Sequence, residues 1–151
     1  MRLRGIIGLA IGGLVLVACA GGPAEMRVAV DLSVAADVNP NGAGRPTPVT
    51  VAAFLLTDRD AFEAASVEDL FGDSRSVLGS TLAAESVAPA APDSRSRFEL
   101  SATSSARFLA VVVDGVDNGA PAKAIAELRP GRDAGATAQI RRDGLRLRAG
   151  S

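Results

Sequence analysis

The chain has 151 residues, 16 basic side chains against 17 acidic ones, a net charge of −1, one cysteine and no histidine. That balance supplies no broad basic surface for nucleic acid or an anionic lipid face. A lone cysteine closes no disulfide within the chain, and catalysis by a Ser-His-Asp or Cys-His set is excluded. With no Trp or Tyr and five Phe, any core must be built mainly from Ala, Val and Leu, which suits thin, closely packed sheets.

The N-terminus reads as a leader. Met1-Arg2-Leu3-Arg4 is basic, and Gly5 to Val17 is an apolar run of 13 residues, a secretory length too short for a comfortable membrane span. Leu16-Val17-Ala18-Cys19 then fits the lipobox cut by bacterial lipoprotein signal peptidase. That chemistry needs the Cys19 thiol, whose sulfur takes a diacylglycerol before cleavage, after which the new terminal amine is usually acylated. Two acyl chains already hold a protein stably on a bilayer, at about 0.8 kcal/mol per buried methylene. Ala20 stands where an aspartate commonly signals inner-membrane retention, so the expected address is the outer membrane of a Gram-negative cell, body in the periplasm. The expected organisation is a signal peptide over 1–18, a lipidated terminus and flexible leash over 19–25, and one domain over 26–151.

Met26 to Val34 alternates, with Val28, Val30, Leu32 and Val34 on one side and Arg27, Ala29, Asp31 and Ser33 on the other, which predicts a half-buried strand. Ala35 to Thr47 follows, dense in Pro, Gly and Asn, and reads as an unstructured loop of a length that is often functional. Pro48 opens a second strand through Leu56. Ala61 to Ala65 and Ser66 to Phe71 read as two short helical turns, the second with Ser66 as N-cap and Asp69 three residues on, ended by Gly72-Asp73. Ser76 to Leu82 is expected to pack Val77 and Leu78 against the core.

The remainder reads as strands at short spacing. Ala83 to Ala88 is a weak one, broken by Pro89 and Pro92. Arg97 to Ser101 alternates, and Arg107 to Val113 is continuously apolar, the mark of a central strand. Lys123 to Leu128 stops at Pro130-Gly131. Ala136 to Arg141 and Leu145 to Arg148 flank Arg142-Asp143-Gly144, a hairpin signal. About eight strands and a small helical insertion predict an all-β, two-sheet sandwich.

Candidate chemistry is sparse. Lys123 is the single lysine and sits in no motif, and Asp114 and Asp117 have turn spacing without the full calcium-loop pattern. No metal, small-molecule substrate or catalytic residue is expected, and no cofactor beyond the covalent diacylglycerol and N-acyl lipid on Cys19. Arg141, Arg142, Arg146 and Arg148 read first as a solvated strand face that discourages edge pairing. The rival reading makes them a patch for an acidic partner.

The ordered features together resemble the TssJ lipoproteins of the type VI secretion system, across roughly Val28 to Leu147. The carrying pieces are the lipobox, Val38-Asn39-Pro40, Arg45-Pro46-Thr47-Pro48-Val49, Phe54-Leu55-Leu56 with Phe62-Glu63, Asp69-Leu70-Phe71, Leu78-Gly79, and Phe108 to Val113. The resemblance implies a transthyretin-like sandwich of two four-stranded sheets with a helical insertion. It also implies an outer-membrane structural anchor that binds the periplasmic C-terminal region of the inner-membrane protein TssM, with TssL in the same complex. Carried onto this chain, the partner-binding loop is Ala35 to Thr47, with Asn39, Pro40, Asn41, Arg45 and Pro46 as its contacts. The alternative is a periplasmic lipoprotein that binds a ligand or the cell wall, for which exposed aromatic rings are the usual means.

Overall fold

The computed structural model describes residues 24–103 and 105–150. The leader, Cys19 and all but the end of the leash lie outside the described residues. Glu25, the last leash residue, already belongs to the first strand.

Eight strands form two four-stranded sheets. They are β1 (Glu25–Val34), β2 (Val49–Leu56), β3 (Leu82–Ala90), β4 (Ser94–Thr103), β5 (Phe108–Asp114), β6 (Lys123–Glu127), β7 (Ala134–Arg141) and β8 (Gly144–Ala149). One sheet runs β4-β1-β7-β8 and the other β3-β2-β5-β6. All pairings are antiparallel except β1 with β7, which lie parallel at the centre of the first sheet. Between β2 and β3 sit two helices, α1 (Asp60–Ala64) and α2 (Val67–Leu78), then a 3-10 turn. Among the described residues no helix is long and apolar enough to cross a membrane.

The alternation of β1 does what its pattern dictates: Met26, Val28, Val30, Leu32 and Val34 all point into the core between the sheets. The second sheet differs, because both of its faces are covered. From β2, Val51, Ala53 and Leu55 point into the sandwich, while Ala52, Phe54 and Leu56 point outward beneath the helices. From β5, Leu109, Val111 and Val113 face inward, and Ala110 and Val112 join Phe62, Leu70 and Leu78 on the helical side. The Phe54 and Phe62 rings meet at 6.1 Å between centroids, tilted by 59°, a favourable aromatic arrangement. A strand buried on both faces has no place for alternation, so β5 reads as one apolar run.

One local expectation needs correction and two gain detail. The first helical stretch ends at Gly72-Asp73 as expected. Asp73 leaves helical geometry (φ −153°, ψ 72°), and its Oδ1 accepts from the Ser76 N–H at 3.1 Å, capping a second stretch that runs on to Leu78. Pro89, by contrast, does not break β3. The strand continues to Ala90 because β3 is an edge strand, where a residue without an N–H is tolerated. Lys123, without a motif in sequence, has a defined structural place. Its Nζ donates to the carbonyls of Phe62 (3.0 Å), Glu63 (2.9 Å) and Ala65 (2.5 Å) and lies 5.3 Å from the centre of the Phe62 ring. It ties β6 to the end of α1.

The Ser66 cap is present in full. Ser66 Oγ accepts from the Asp69 N–H at 3.0 Å, and Asp69 Oδ2 accepts from the Ser66 N–H at 3.3 Å. The Ser66 hydroxyl and N–H beside it hold the Asp69 carboxyl below its ordinary range, as those of Ser76 do for Asp73. Ser74 Oγ and Arg75 Nε both donate to Glu85, at 2.6 and 2.9 Å, fastening α2 to β3.

Two outcomes follow. Lys123→Ala strands three carbonyl acceptors and should lower the unfolding free energy by about 2 kcal/mol, read as a drop of several degrees in thermal unfolding. Ser66→Ala should cost about 1 kcal/mol at neutral pH. A carboxyl depressed in the folded state adds stability above its unfolded pKa and loses it as pH falls through the folded value. The Ser66→Ala penalty should therefore shrink in denaturant titrations carried below about pH 4; an undiminished penalty there would contradict the capping-box account.

Candidate partner-binding surface

The pairings sort the loops to two ends of the sandwich. β1 enters at Glu25 opposite Thr103, so the N-terminal end also carries the β4–β5 and β6–β7 loops. At the far end lie the β1–β2 loop, the β3–β4 turn, the β5–β6 loop and the β7–β8 turn. Ten residues of β1 separate the two ends by roughly 30 Å.

The β1–β2 loop is ordered, contrary to its reading as an unstructured segment. Pro40 and Pro46 form an isolated antiparallel bridge, the Asn41 N–H donates to the Arg45 carbonyl at 2.9 Å, and the Gly44 N–H donates to the Asn41 carbonyl at 2.8 Å. The result is a small finger. Asn41 organises its tip, its Oδ1 accepting from the N–H groups of Ala43 and Arg45, both at 3.0 Å. Asn39 organises its base. It sits at φ +47°, where Asn is among the better-tolerated side chains, and its Nδ2 donates to the Pro48 carbonyl at 2.8 Å. Thr47 closes the base, its Oγ1 donating to the Asn39 carbonyl at 2.6 Å.

The two asparagines therefore spend much of their bonding capacity inside the finger. Val38 is fully buried and plugs the loop into the core between the sheets, so the loop does contribute to packing. Arg45, Asn41 and Pro46 are exposed, while Asn39 and Pro40 are half-buried. Arg45 has no ion-pair partner among the described residues, and its planar fork of donors stands ready for a carboxylate or carbonyl.

A neighbouring loop, read from the sequence only as a turn carrying Asp114 and Asp117, braces the finger. Gly115 sits at φ +109°, and a Cβ there would lie 2.9 Å from Asn39 Cγ and 3.0 Å from Val49 Cγ1. Only glycine allows the β5–β6 loop this close to Asn39. The lone signal in sequence is Gly115 itself, next to the strand end at Asp114. Asp117 in that loop is held by Arg142 Nε at 3.0 and 3.2 Å, which joins it to the β7–β8 turn. Asp117 is thus committed to an ion pair, and no group of three or more metal-ligating side chains converges among the described residues.

With the geometry in place, comparisons with known proteins give the fold its context. A chain of the type VI secretion lipoprotein TssJ1 from Pseudomonas aeruginosa superposes with a TM-score of 0.75 at 22% identity, covering 86% of this chain and 98% of that one. Lip of Serratia marcescens, a membrane-bound component of the type VI secretion system, matches at 0.70 and 20%, covering 81% and 96%. A chain in a structure described as the C-terminal domain of the type VI protein TssM from EAEC matches at 0.59 and 17%, covering 83% and 98%. No curated protein sequence matches the chain. The profile of the type VI secretion lipoproteins, described as VasD, EvfM and TssJ, matches residues 26–143. By that match, which runs from β1 through β7 and stops just before β8, the chain belongs to the type VI secretion lipoprotein family.

Proposed function

We propose that this lipoprotein is a structural bracket of the type VI secretion apparatus, held in the outer membrane by lipid on Cys19 and binding the periplasmic C-terminal region of TssM. TssL shares the resulting trans-envelope complex through TssM. The observation that carries the reading is the finger's position. It stands at the end of the sandwich opposite the one where the leash joins β1, and so points away from the membrane the lipid would occupy. The family match supports the secretion role, and the shared fold of a chain in the TssM-domain structure supports the partner.

Within the finger, the exposed tip at Asn41, Arg45 and Pro46 makes the contact, with Asn39 and Pro40 fixing its pose. A loop already closed by its own hydrogen bonds loses less entropy on binding than a floppy one. Nothing in the structure favours the ligand- or cell-wall-binding alternative. Phe54 and Phe62 are buried, and Phe71, Phe98 and Phe108 are half-buried against the two cores, so no ring stands free to stack on a sugar.

Replacing Asn41 to Arg45 with a Gly-Ser turn, while keeping Val38 and Asn39, should leave thermal stability near wild type. It should weaken binding of a TssM periplasmic fragment about tenfold, or about 1.4 kcal/mol. Calorimetry that finds unchanged affinity for the folded variant would sink the finger assignment. For the anchor, Cys19→Ser should leave uncleaved precursor or unanchored protein and abolish secretion with the sandwich intact. Metabolic labelling that puts no acyl chain on the wild type would exclude it.

A further inference from the structure

The two broad sides of the sandwich carry opposite charge. One side is the helical insertion, where Asp58, Asp60, Glu63, Glu68, Asp69 and Asp73 face two arginines. Arg59 is taken by Glu63 and Arg75 by Glu85, while Asp60 and Glu68 have no basic partner among the described residues. Because the insertion lies on top of the β3-β2-β5-β6 sheet, α2 stands out as an acidic ridge.

The other side is the bare outer face of the β4-β1-β7-β8 sheet. Its cross-strand rows put arginine at both edges and short polar residues in the middle. One row is Arg97, Asp31, Thr137 and Arg148; the next is Arg95, Ser33, Gln139 and Arg146. Arg97 holds Asp31 and lies beside Glu99, and Arg146 reaches Asp143. That leaves Arg27, Arg95, Arg141 and Arg148 without an acidic partner among the described residues. The face carries two open depressions, of about 470 Å³ around Ser33 and Gln139 and about 540 Å³ around Ala29 and Gly135. Four strands at about 4.8 Å spacing set the arginine walls roughly 14 Å apart, and a helix with its side chains is about 10–12 Å wide. Trough and ridge match in sign and in width.

We propose that copies of this chain pack side by side, the acidic α2 ridge of one seated in the arginine-walled trough of the next. Both surfaces flank the strand axis, so the contact leaves the finger end and the N-terminal end free. It is head-to-tail, since trough meets ridge and not trough, and such contacts build rings or rows. The charges are exposed, so the contact is favoured by confinement at one membrane and weakened by salt.

The test uses full-length protein purified from membranes and reconstituted in vesicles, with intact mass reporting lipidation separately from contact. Thr137→Cys puts a thiol in the trough, and Gly72→Cys puts one on the ridge, where a side chain meets open space. Mixed under mild oxidation, the two proteins should give about tenfold more mixed disulfide than either self-disulfide. Arg95→Glu with Arg148→Glu in the first protein should abolish it, as should Glu68→Lys in the second. Combining both charge-reversed proteins should restore it. If the mass shows no lipid on Cys19, the same mixtures are run in solution at high concentration on a Cys19→Ser background, so that failure of the anchor reading does not decide this one. Self-disulfides in equal yield, or a mixed yield indifferent to charge reversal in variants folded by circular dichroism, overturns the proposal.

Discussion

Burial of the β2–β5 pair on both faces is the constraint from which the remaining architecture follows. Two adjacent strands made of Val, Ala, Leu and Phe leave an apolar surface on each side, and one sheet cannot cover both. The β4-β1-β7-β8 sheet closes one side and α1 and α2 close the other, so the insertion is the third layer of the core rather than an ornament of a loop. Lys123, Ser74 and Arg75 then fasten that layer from β6 and from α2 itself. At about 25 cal/mol per Å² of apolar surface removed from water, covering Phe54 and Leu56 outweighs the modest gain from any of these polar ties.

The same arrangement divides labour along the strand axis. Rigid ladders occupy the middle, and the variable chemistry is confined to the ends and to the outer faces. The finger illustrates how little sequence this takes. Val38 anchors it below, Asn39 and Thr47 lock its base, and Gly115 lets the next loop press against it. What remains exposed is a short tip with one arginine.

Much of this was legible in the residues. Period-two alternation marks β1 and β4, the unbroken apolar run marks β5 as central, and Arg142-Asp143 marks the last hairpin. What could not be read depends on neighbours distant in sequence. Pro89 is acceptable only because β3 lies at an edge, and Lys123 matters only because α1 ends beside β6. Val38 packs as it does only because the core lies beneath its loop. Asn39 and Asn41 looked free for a partner, yet much of their capacity closes the finger itself. The Cys19 motif, the clearest in the sequence, lies outside the described residues.

The parallel pairing of β1 with β7 has a mechanical consequence. β1 is the first strand of the domain, and it runs through the middle of its sheet with hydrogen-bonded neighbours on both sides. A force drawn between the N-terminal end and the finger passes along β1, at right angles to its antiparallel bonds and oblique to its parallel ones. Those bonds are loaded together in shear, not one after another as at a peeling edge. A domain wired this way resists extension through its entry strand.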